Sequence, residues 1–505
     1  MIFHVDDIFL RARGHLIAGM VTKTAGEALH QSAGSFMESS LRAISEDSSE
    51  VVKVSCIRVL QAYLQALPNA STQPMQGSII TAISNFLSSQ DLSELNDSDD
   101  LIITLVETLR DAIIVDTRIC ITSSALDVLF SIASHGAGNF QLAMLVTESF
   151  EEITESMAAL GGDAYVRLCE KVLPSLTGAF DVGNLTQENA LTNLAADLLA
   201  VLAEHASEPL PHGFVSAVMP KLNRLLLSSS DGELLRPATL SVKHMLIHDY
   251  AQFFAWHDPQ TGKAGLEVAL VIIDRLLGPS VDDNAAAEVG GLAAELVEKA
   301  GSERLGPYLL QLLRAVAIRL ASATEAQFIQ SLILVFARLS LVNAKEVLDF
   351  LGQVQLPSGQ TGLEVVMSKW LENSVNFAGY DEIRQNVIAL SKIYSLNDER
   401  LTRIQVRGDL IVPKSDRIMT RSRARQNPDQ HTIVPVRLKI LKVLIEELSS
   451  AGGNSRTIDA AAAADLAEEG SDDGDWEDEP GTLDLGSAST RQGWPNIQAS
   501  SWMFC

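Results

Sequence analysis

The segment Val172-Leu173-Pro174-Ser175-Leu176 recurs 46 residues later as Val218-Met219-Pro220-Lys221-Leu222. Each copy lies in a stretch whose apolar residues have helical spacing, and each is followed by a further helical stretch. A period of about 40 to 47 residues with two helices per unit is typical of helical solenoids. A chance match in an all-helical protein would also explain this one pair. The interpretation therefore depends on the pattern elsewhere in the chain.

Helical periodicity extends from Ile8 to about Leu396. It is seen, for example, in Val52, Cys56, Leu60, Tyr63 and Leu67. Clusters of Gly, Pro, Asn and Asp interrupt it about every 20 residues, which divides the region into about eighteen helices joined by short turns. We find no strand in it. The sequence therefore predicts an all-α solenoid of the HEAT or armadillo type, with HEAT-type repeats over residues 1–396.

Composition agrees with a repeat array. A chain of 505 residues exceeds what one hydrophobic core normally supports. Hydrophobic residues make up 47% of it but aromatic residues only 5%, which suits thin layers of packed helices better than a thick globular core. No uncharged apolar run of about 18 residues occurs, and Asp6, Asp7 and Arg11 interrupt the N-terminal segment. We therefore expect a soluble, intracellular protein with neither a membrane span nor a signal peptide.

Residue types that perform catalysis or bind metals have no useful spacing. The four cysteines, Cys56, Cys120, Cys169 and Cys505, are far apart, and the first three are expected to pack in the core. His244 and His248 share a helix face but have no obvious third ligand beyond Asp249. Gly262-Lys263 resembles the end of a phosphate-binding loop, but it lacks both the first glycine and the hydroxyl residue of that motif. The sequence predicts no catalytic residue, no metal site and no cofactor, so we do not expect an enzyme.

The pattern changes after Leu396. Residues 397–434 have little apolar periodicity and predict a long basic loop. Residues 435–452 predict an amphipathic helix of a further repeat, started by Pro435. Residues 453–505 combine low hydrophobicity with high charge and predict a disordered acidic tail.

Charge is strongly segregated along the chain. The range from Arg400 to Lys442 holds eleven Lys/Arg against three Asp, a net of +8, whereas the whole chain has a net charge of −26. Ten carboxylates and no base follow between Asp465 and Asp484. The low pI of about 4.7 disfavours nucleic acid and anionic membranes as partners and favours cationic proteins.

Two sets of residues are candidates for binding. The acidic set is Asp472, Asp473, Asp475, Trp476, Glu477, Asp478 and Glu479. It is either a solvating tail or a polyanion that holds a basic cargo, with Trp476 as an aromatic anchor. The basic set is Arg417, Arg421, Arg423 and Arg425. It is a nuclear-localisation signal, a phosphate-binding patch or the intramolecular partner of the acidic tract, and its proximity to the carboxylates favours the last.

Several motifs in the same order resemble the importin-β, or karyopherin-β, family. The resemblance extends from about Phe9 to Pro480, and its distinctive motifs come after Tyr250. They are Trp256-His257-Asp258 with Gly265-Leu266, Gln330-Ser331-Leu332-Ile333-Leu334-Val335-Phe336-Ala337, Met419-Thr420-Arg421-Ser422-Arg423, Asn427-Pro428, Val434-Pro435, Leu438-Lys439-Ile440-Leu441-Lys442 and Asp475-Trp476-Glu477-Asp478.

The resemblance implies a nuclear transport receptor that shuttles between cytoplasm and nucleus, passing transiently through the pore and its nucleoporins. It implies basic cargo, core histones foremost, and regulation by the GTPase Ran. The family's main Ran-binding surface lies on N-terminal repeats, which we expect to be missing from this chain. Beyond Pro480 the family's closing segments are not recognisable. The alternatives are a histone chaperone without transport activity and a generic HEAT-repeat scaffold, which needs only the repeats.

Overall fold

A computed structural model describes residues 6–25, 30–90, 99–161, 163–182, 189–306, 308–411 and 430–451. The chain divides into two compact units at Glu447, and the helical repeats belong to the first of them. The helices are α1 (Ile8–Ala25), α2 (His30–Glu46), α3 (Glu50–Ala66), α4 (Asn69–Thr72), α5 (Gln76–Ser88), α6 (Asp99–Ile114), α7 (Ile119–Thr122), α8 (Ala125–Gly136), α9 (Phe140–Ala159), α10 (Ala164–Ala179), α11 (Ala190–Glu204), α12 (Phe214–Ser228), α13 (Gly232–Ala255), α14 (Gly265–Leu276), α15 (Val289–Leu305), α16 (Tyr308–Ser322), α17 (Ala326–Gln353), α18 (Gly362–Asn373), α19 (Tyr380–Ser395), α20 (Arg400–Arg403) and α21 (Val436–Ala451). Two short 3₁₀ turns, Gln73–Met75 and Ser374–Asn376, follow α4 and α18.

The helices form two stacked layers. The first layer consists of α1, α3, α6, α9, α11, α13, α15, α17 and α19, and each packs on the next member of the layer. The second layer consists of α2, α5, α8, α10, α12, α14, α16 and α18. A helix of one layer and the adjacent helix of the other form one repeat, so the predicted HEAT-type solenoid is confirmed. The echoed segments around Pro174 and Pro220 lie in α10 and α12, which are successive members of the second layer.

A continuous apolar core lies between the layers. Val52, Cys56, Leu60, Tyr63 and Leu67, which are periodic in the sequence, are all buried. The same is true of the three cysteines that were expected to be in the core, Cys56, Cys120 and Cys169. Burial raises the pKa of each of these thiols to about 12, which makes them unreactive. Among the described residues, no helix is long and apolar enough to cross a membrane.

Basic side chains fix the register of the second layer. In successive repeats, a Lys or Arg of a second-layer helix donates a hydrogen bond to a backbone carbonyl of the preceding repeat, near the end of a helix or in the loop that follows it. The pairs are Lys171 with Ser123, Arg224 with Phe180, Arg275 with Leu226, Arg319 with Val281 and Lys369 with Ala323. Carbonyl groups that have no partner within their own helix are therefore bonded by the next repeat.

Among the carboxylates that contact these basic side chains, Asp283 accepts the most hydrogen bonds. It accepts hydrogen bonds from the backbone N–H groups of Thr324 and Glu325 at 2.7 and 3.2 Å, and Arg319 Nη2 lies 2.8 Å from it. Burial alone would raise the pKa of Asp283, but these donors outweigh it and lower the pKa below 3.8. A carboxylate with a lowered pKa stabilises the fold above its unfolded pKa, and this contribution is lost as pH falls through the folded pKa.

We expect Asp283→Asn to lower the free energy of unfolding by about 2 kcal/mol at pH 7, because bonds to a charged acceptor are lost. The difference from wild type should be complete above about pH 4 and should shrink as pH falls further. Urea unfolding of both proteins across this range measures it. A difference that stays constant down to about pH 3 would contradict the role of the carboxylate charge.

Two first-layer helices contain the same kink. Asp249 in α13 (φ −156°, ψ 70°) and Asn343 in α17 (φ −146°, ψ 86°) leave the helical conformation. Each side chain then accepts a hydrogen bond from the N–H group three residues on, which restarts the helix. Each helix is followed by a tight hairpin loop and then by the sequence Gly-Leu-Glu-Val, at 265–268 and at 362–365. Residues 249–268 and 343–365 therefore share one arrangement of kink, hairpin loop and Gly-Leu-Glu-Val segment, about two repeats apart in the chain.

The prediction of a loop over residues 397–434 is wrong at both ends of that range. After α20, strand β1 (Gln405–Leu410) pairs antiparallel with β2 (His431–Pro435), with Val406 opposite Val434. Val406 is buried and its neighbours are exposed, so the alternation is real but spans too few residues to stand out in the sequence. Pro435 ends β2, and the predicted helix begins one residue later.

Candidate protein-binding surface

The residues predicted to bind partners lie outside the described part of the chain. This holds for the whole acidic set, Asp472, Asp473, Asp475, Trp476, Glu477, Asp478 and Glu479, and for the basic set, Arg417, Arg421, Arg423 and Arg425. Their roles remain predictions. The described residues include those that flank the basic loop, and they also form a second acidic surface.

Two of the bases that flank the loop, Arg400 and Lys442, pair with nearby carboxylates. Arg400 Nη2 lies 2.7 Å from Asp349 Oδ1 and 2.5 Å from Asp398 Oδ2. The bond to Arg400 is the largest cause of a lowered pKa at Asp398, and the pKa of Arg400 is raised in return. Lys442 on α21 pairs with Asp409 on β1. These bases are therefore tied to nearby carboxylates and are not free to attract an anionic partner.

The acidic surface is centred on α9 in the first layer. The helix begins after Asn139, whose Oδ1 accepts a hydrogen bond from the N–H of Leu142 at 3.1 Å. Its buried face repeats at helical spacing in Leu142, Val146, Phe150, Ile153 and Met157. The opposite face exposes four carboxylates, Glu148, Glu151, Glu152 and Glu155. The twenty residues of α9 contain no Lys, Arg or His, so the helix has a charge of −4.

Two carboxylates on the preceding first-layer helix have nearby side-chain partners, whereas the carboxylates of α9 have almost none. On α6, Gln61 donates to Glu107 at 3.3 Å and Arg110 pairs with Asp111 at 3.1 Å. The carboxylates of α9 have one such interaction among the described residues, an approach of His205 Nε2 to Glu151 Oε1 at 3.5 Å. The negative field above α9 is therefore largely unbalanced.

The next first-layer helix, α11, extends the acidic region. Asp197 retains open surface, yet surrounding protein atoms desolvate it and Glu233 lies nearby. Desolvation, and to a smaller extent the charge of Glu233, raises the pKa of Asp197 to about 6, and Arg236 opposes only part of this rise. A carboxylate in such an environment gains from an added positive charge. The acidic region ends at α13 and α15, where Arg236 and Lys243 pair with Glu288.

Sequence reasoning did not find the α9 surface. The available signal was four glutamates at i, i+3, i+4 and i+7 in a helix without a base. Such runs are common on solvated helix faces, so the pattern does not stand out until neighbouring helices show how little of the charge is compensated. In the described residues, no group of three His, Cys, Asp or Glu side chains could hold a metal ion. His244 and His248 have ring centroids 6.2 Å apart, and His248 contacts Glu208 and a backbone carbonyl.

Comparisons with known proteins give the family. Residues 1–137 match the family model described as importin-9 central HEAT repeats. Importin subunit beta-5 of Schizosaccharomyces pombe is 31% identical over 451 residues, which are 88% of this chain and 42% of that protein. Importin subunit beta-5 of Saccharomyces cerevisiae is 28% identical over 72% of this chain and 36% of its own length. Importin-9 of Drosophila melanogaster is 24% identical over 89% of this chain and 43% of its own length.

The chain therefore belongs to the importin-β, or karyopherin-β, family of HEAT-repeat proteins. Within that family it is similar to importin-9 and to importin subunit beta-5. It spans less than half the length of the curated relatives that it matches.

Proposed function

We propose that this chain forms part of a non-catalytic nuclear import receptor that carries basic protein cargo, core histones foremost. The observation that carries the proposal is the 31% identity to importin subunit beta-5 over 88% of the chain. The net charge of −26 supports it, because a polyanionic receptor attracts a cationic cargo over distances of about a Debye length, roughly 8 Å. We further propose regulation by Ran, contact with nucleoporins, and shuttling between cytoplasm and nucleus.

The acidic tract is the proposed cargo-binding element. Asp465 to Asp484 contain ten carboxylates and no base, and Trp476 places an aromatic ring among them. The basic residues Arg417, Arg421, Arg423 and Arg425 are its proposed intramolecular competitor, since removal of a cargo would free the tract to pair with them. This arrangement makes cargo binding dependent on salt and on any factor that changes the competition.

Deletion of Asp465–Asp484 tests the proposal. We expect the affinity of the chain for core histones at about 0.15 M salt to fall by about tenfold, because ten charges that attract the cargo are removed. The dependence of affinity on salt concentration should also become weaker. Both quantities can be measured by fluorescence titration with labelled histones.

Two controls separate charge from chain length. A scrambled tract of the same composition should bind as wild type does, whereas an uncharged linker of the same length should behave like the deletion. Unchanged affinity in both the deletion and the linker variant would contradict the role of the tract and would favour the generic HEAT scaffold. Failure of a chain extended by N-terminal repeats to bind histones at all would contradict the proposed cargo.

A further inference from the structure

One face of α9 combines exposed apolar side chains with the four glutamates of that helix. Phe140 is 82% exposed and Met144 is 48% exposed. Phe140 lies about two turns before Glu148, and Met144 lies about one turn before it. Residues 140, 144, 148 and 152 are four apart, so they lie along one side of the helix. We name this set of six residues, Phe140, Met144, Glu148, Glu151, Glu152 and Glu155, the α9 strip. At about 1.5 Å per residue the strip is about 22 Å long.

The helix itself does not require an exposed phenylalanine at this place. Phe140 is the first residue of α9, after the capping Asn139, and the buried face is already complete without it. In the part of the chain that the structure describes, no aromatic or cation–π partner covers its ring. Phe140 and Met144 together form a small exposed apolar patch. Aromatic residues are enriched among those that dominate the binding energy of protein interfaces.

Charge then indicates the chemistry of the partner. Four carboxylates lie on the strip and no base lies on α9, while Asp197 on the neighbouring α11 adds a further acid that Arg236 compensates only in part. An acidic or neutral segment would have to desolvate these groups without compensation. A segment rich in Lys or Arg would instead pair with them, and it would place an apolar side chain on Phe140 and Met144.

We infer that the α9 strip is a docking site for a basic segment of a partner protein, which packs one bulky apolar side chain against Phe140 and Met144 and pairs its bases with the glutamates. This inference rests on the proposed function, because it gives the basic cargo a second contact on the repeats, separate from the acidic tract. The apolar contact gives selectivity, since a purely charged partner cannot use it.

The test measures binding of two labelled synthetic peptides to the full chain at about 0.15 M salt by fluorescence anisotropy. Both peptides have about 15 residues and about six lysines, and one of them has a phenylalanine where the other has a serine. We expect Glu148→Gln, Glu151→Gln, Glu152→Gln and Glu155→Gln, combined in one variant, to weaken binding of both peptides by about tenfold. We expect Phe140→Ala with Met144→Ala to weaken binding of the phenylalanine peptide alone, by about threefold.

A matched control removes the same charge elsewhere. The combination Glu170→Gln, Asp274→Asn, Glu303→Gln and Asp381→Asn neutralises four exposed carboxylates on other helices, and we expect it to leave both affinities within about twofold of wild type. Equal losses in the control and in the α9 variant would show adsorption to overall negative charge and would overturn the inference. Unchanged binding of the phenylalanine peptide by the Phe140 and Met144 variant would overturn the apolar contact.

These variants distinguish failure of the α9 docking site from failure of the proposed import function. If the chain without Asp465–Asp484 still binds the peptides and the α9 variant does not, the strip is a site even if import of histones fails. Circular dichroism and the urea midpoint of each variant exclude unfolding as the cause, since glutamine is as good a helix former as glutamate.

Discussion

We expect replacement of Gly290 by alanine to destabilise the packing of α15 on α17, at a cost of about 3 kcal/mol in the free energy of unfolding. A Cβ atom at this position would lie 2.1 Å from Ser331 O, 2.2 Å from Ser331 C and 2.5 Å from Leu332 N. These are backbone atoms of a buried helix segment, so they cannot rotate away as a side chain would. The helices must move apart near Gly290, which weakens the apolar contacts between them there.

Because each repeat contacts only its neighbours, the effect should be local. Hydrogen–deuterium exchange is the suitable measurement: we expect faster exchange in α15 and α17 of the Gly290→Ala variant and little change in α3 or α6. The control is Gly77→Ala in α5, where nothing lies within 4 Å of the added Cβ. That change should stabilise its helix by about 0.5 to 1 kcal/mol. Wild-type exchange at α15 and α17 in the Gly290 variant would show that the two helices do not approach this closely.

The repeat architecture could be predicted because it depends on local patterns. The periodic apolar residues of α3 are visible in sequence and are buried in the structure. The echo around Pro174 and Pro220 correctly identified equivalent second-layer helices. In a solenoid each helix buries one stripe against its neighbours, so helical periodicity almost determines the fold.

The duplicated kinks were not predicted, for a physical reason. Asp249 and Asn343 look like ordinary polar residues inside long helical stretches, and only their backbone angles show that the helix is interrupted and restarted. The two Gly-Leu-Glu-Val copies are visible in sequence, but they are two repeats apart, so a search for a period of one repeat misses them. The hairpin β1–β2 was missed because its buried positions are few and its two strands are separated by about twenty residues.

The candidate site was predictable only in part. The charge segregation that indicated basic partners is a property of composition, and it is evident from the sequence. The α9 strip depends on which charges have partners, and that depends on residues on other helices, such as Gln61 beside Glu107 and His205 beside Glu151. Much of this compensation joins residues about one repeat apart in sequence, so it becomes visible only when the repeats are stacked.

Replacement of Trp370 by alanine is expected to have an equally large effect where α18 contacts α19. Trp370 on α18 is completely buried, and its Nε1 donates a hydrogen bond to Oδ1 of Asn386 on α19 at 2.6 Å. Asn386 is also completely buried, and its Nδ2 has no partner within the described ranges. Trp370→Ala therefore creates a large cavity and leaves the whole amide unpaired, which should cost about 3 to 5 kcal/mol.

Two further variants separate the cavity from the lost hydrogen bond. Trp370→Phe keeps much of the apolar volume but leaves Asn386 Oδ1 unpaired, so we expect a loss of about 1 to 3 kcal/mol. Adding Asn386→Leu to Trp370→Phe removes the orphaned amide and should restore part of that loss, which a double-mutant cycle of urea midpoints would measure. The hydrogen bond would contribute nothing if Asn386→Leu lowered the free energy of unfolding by the same amount in the Trp370→Phe variant as in the wild-type chain. The contact of α18 with α19 would then depend on packing alone.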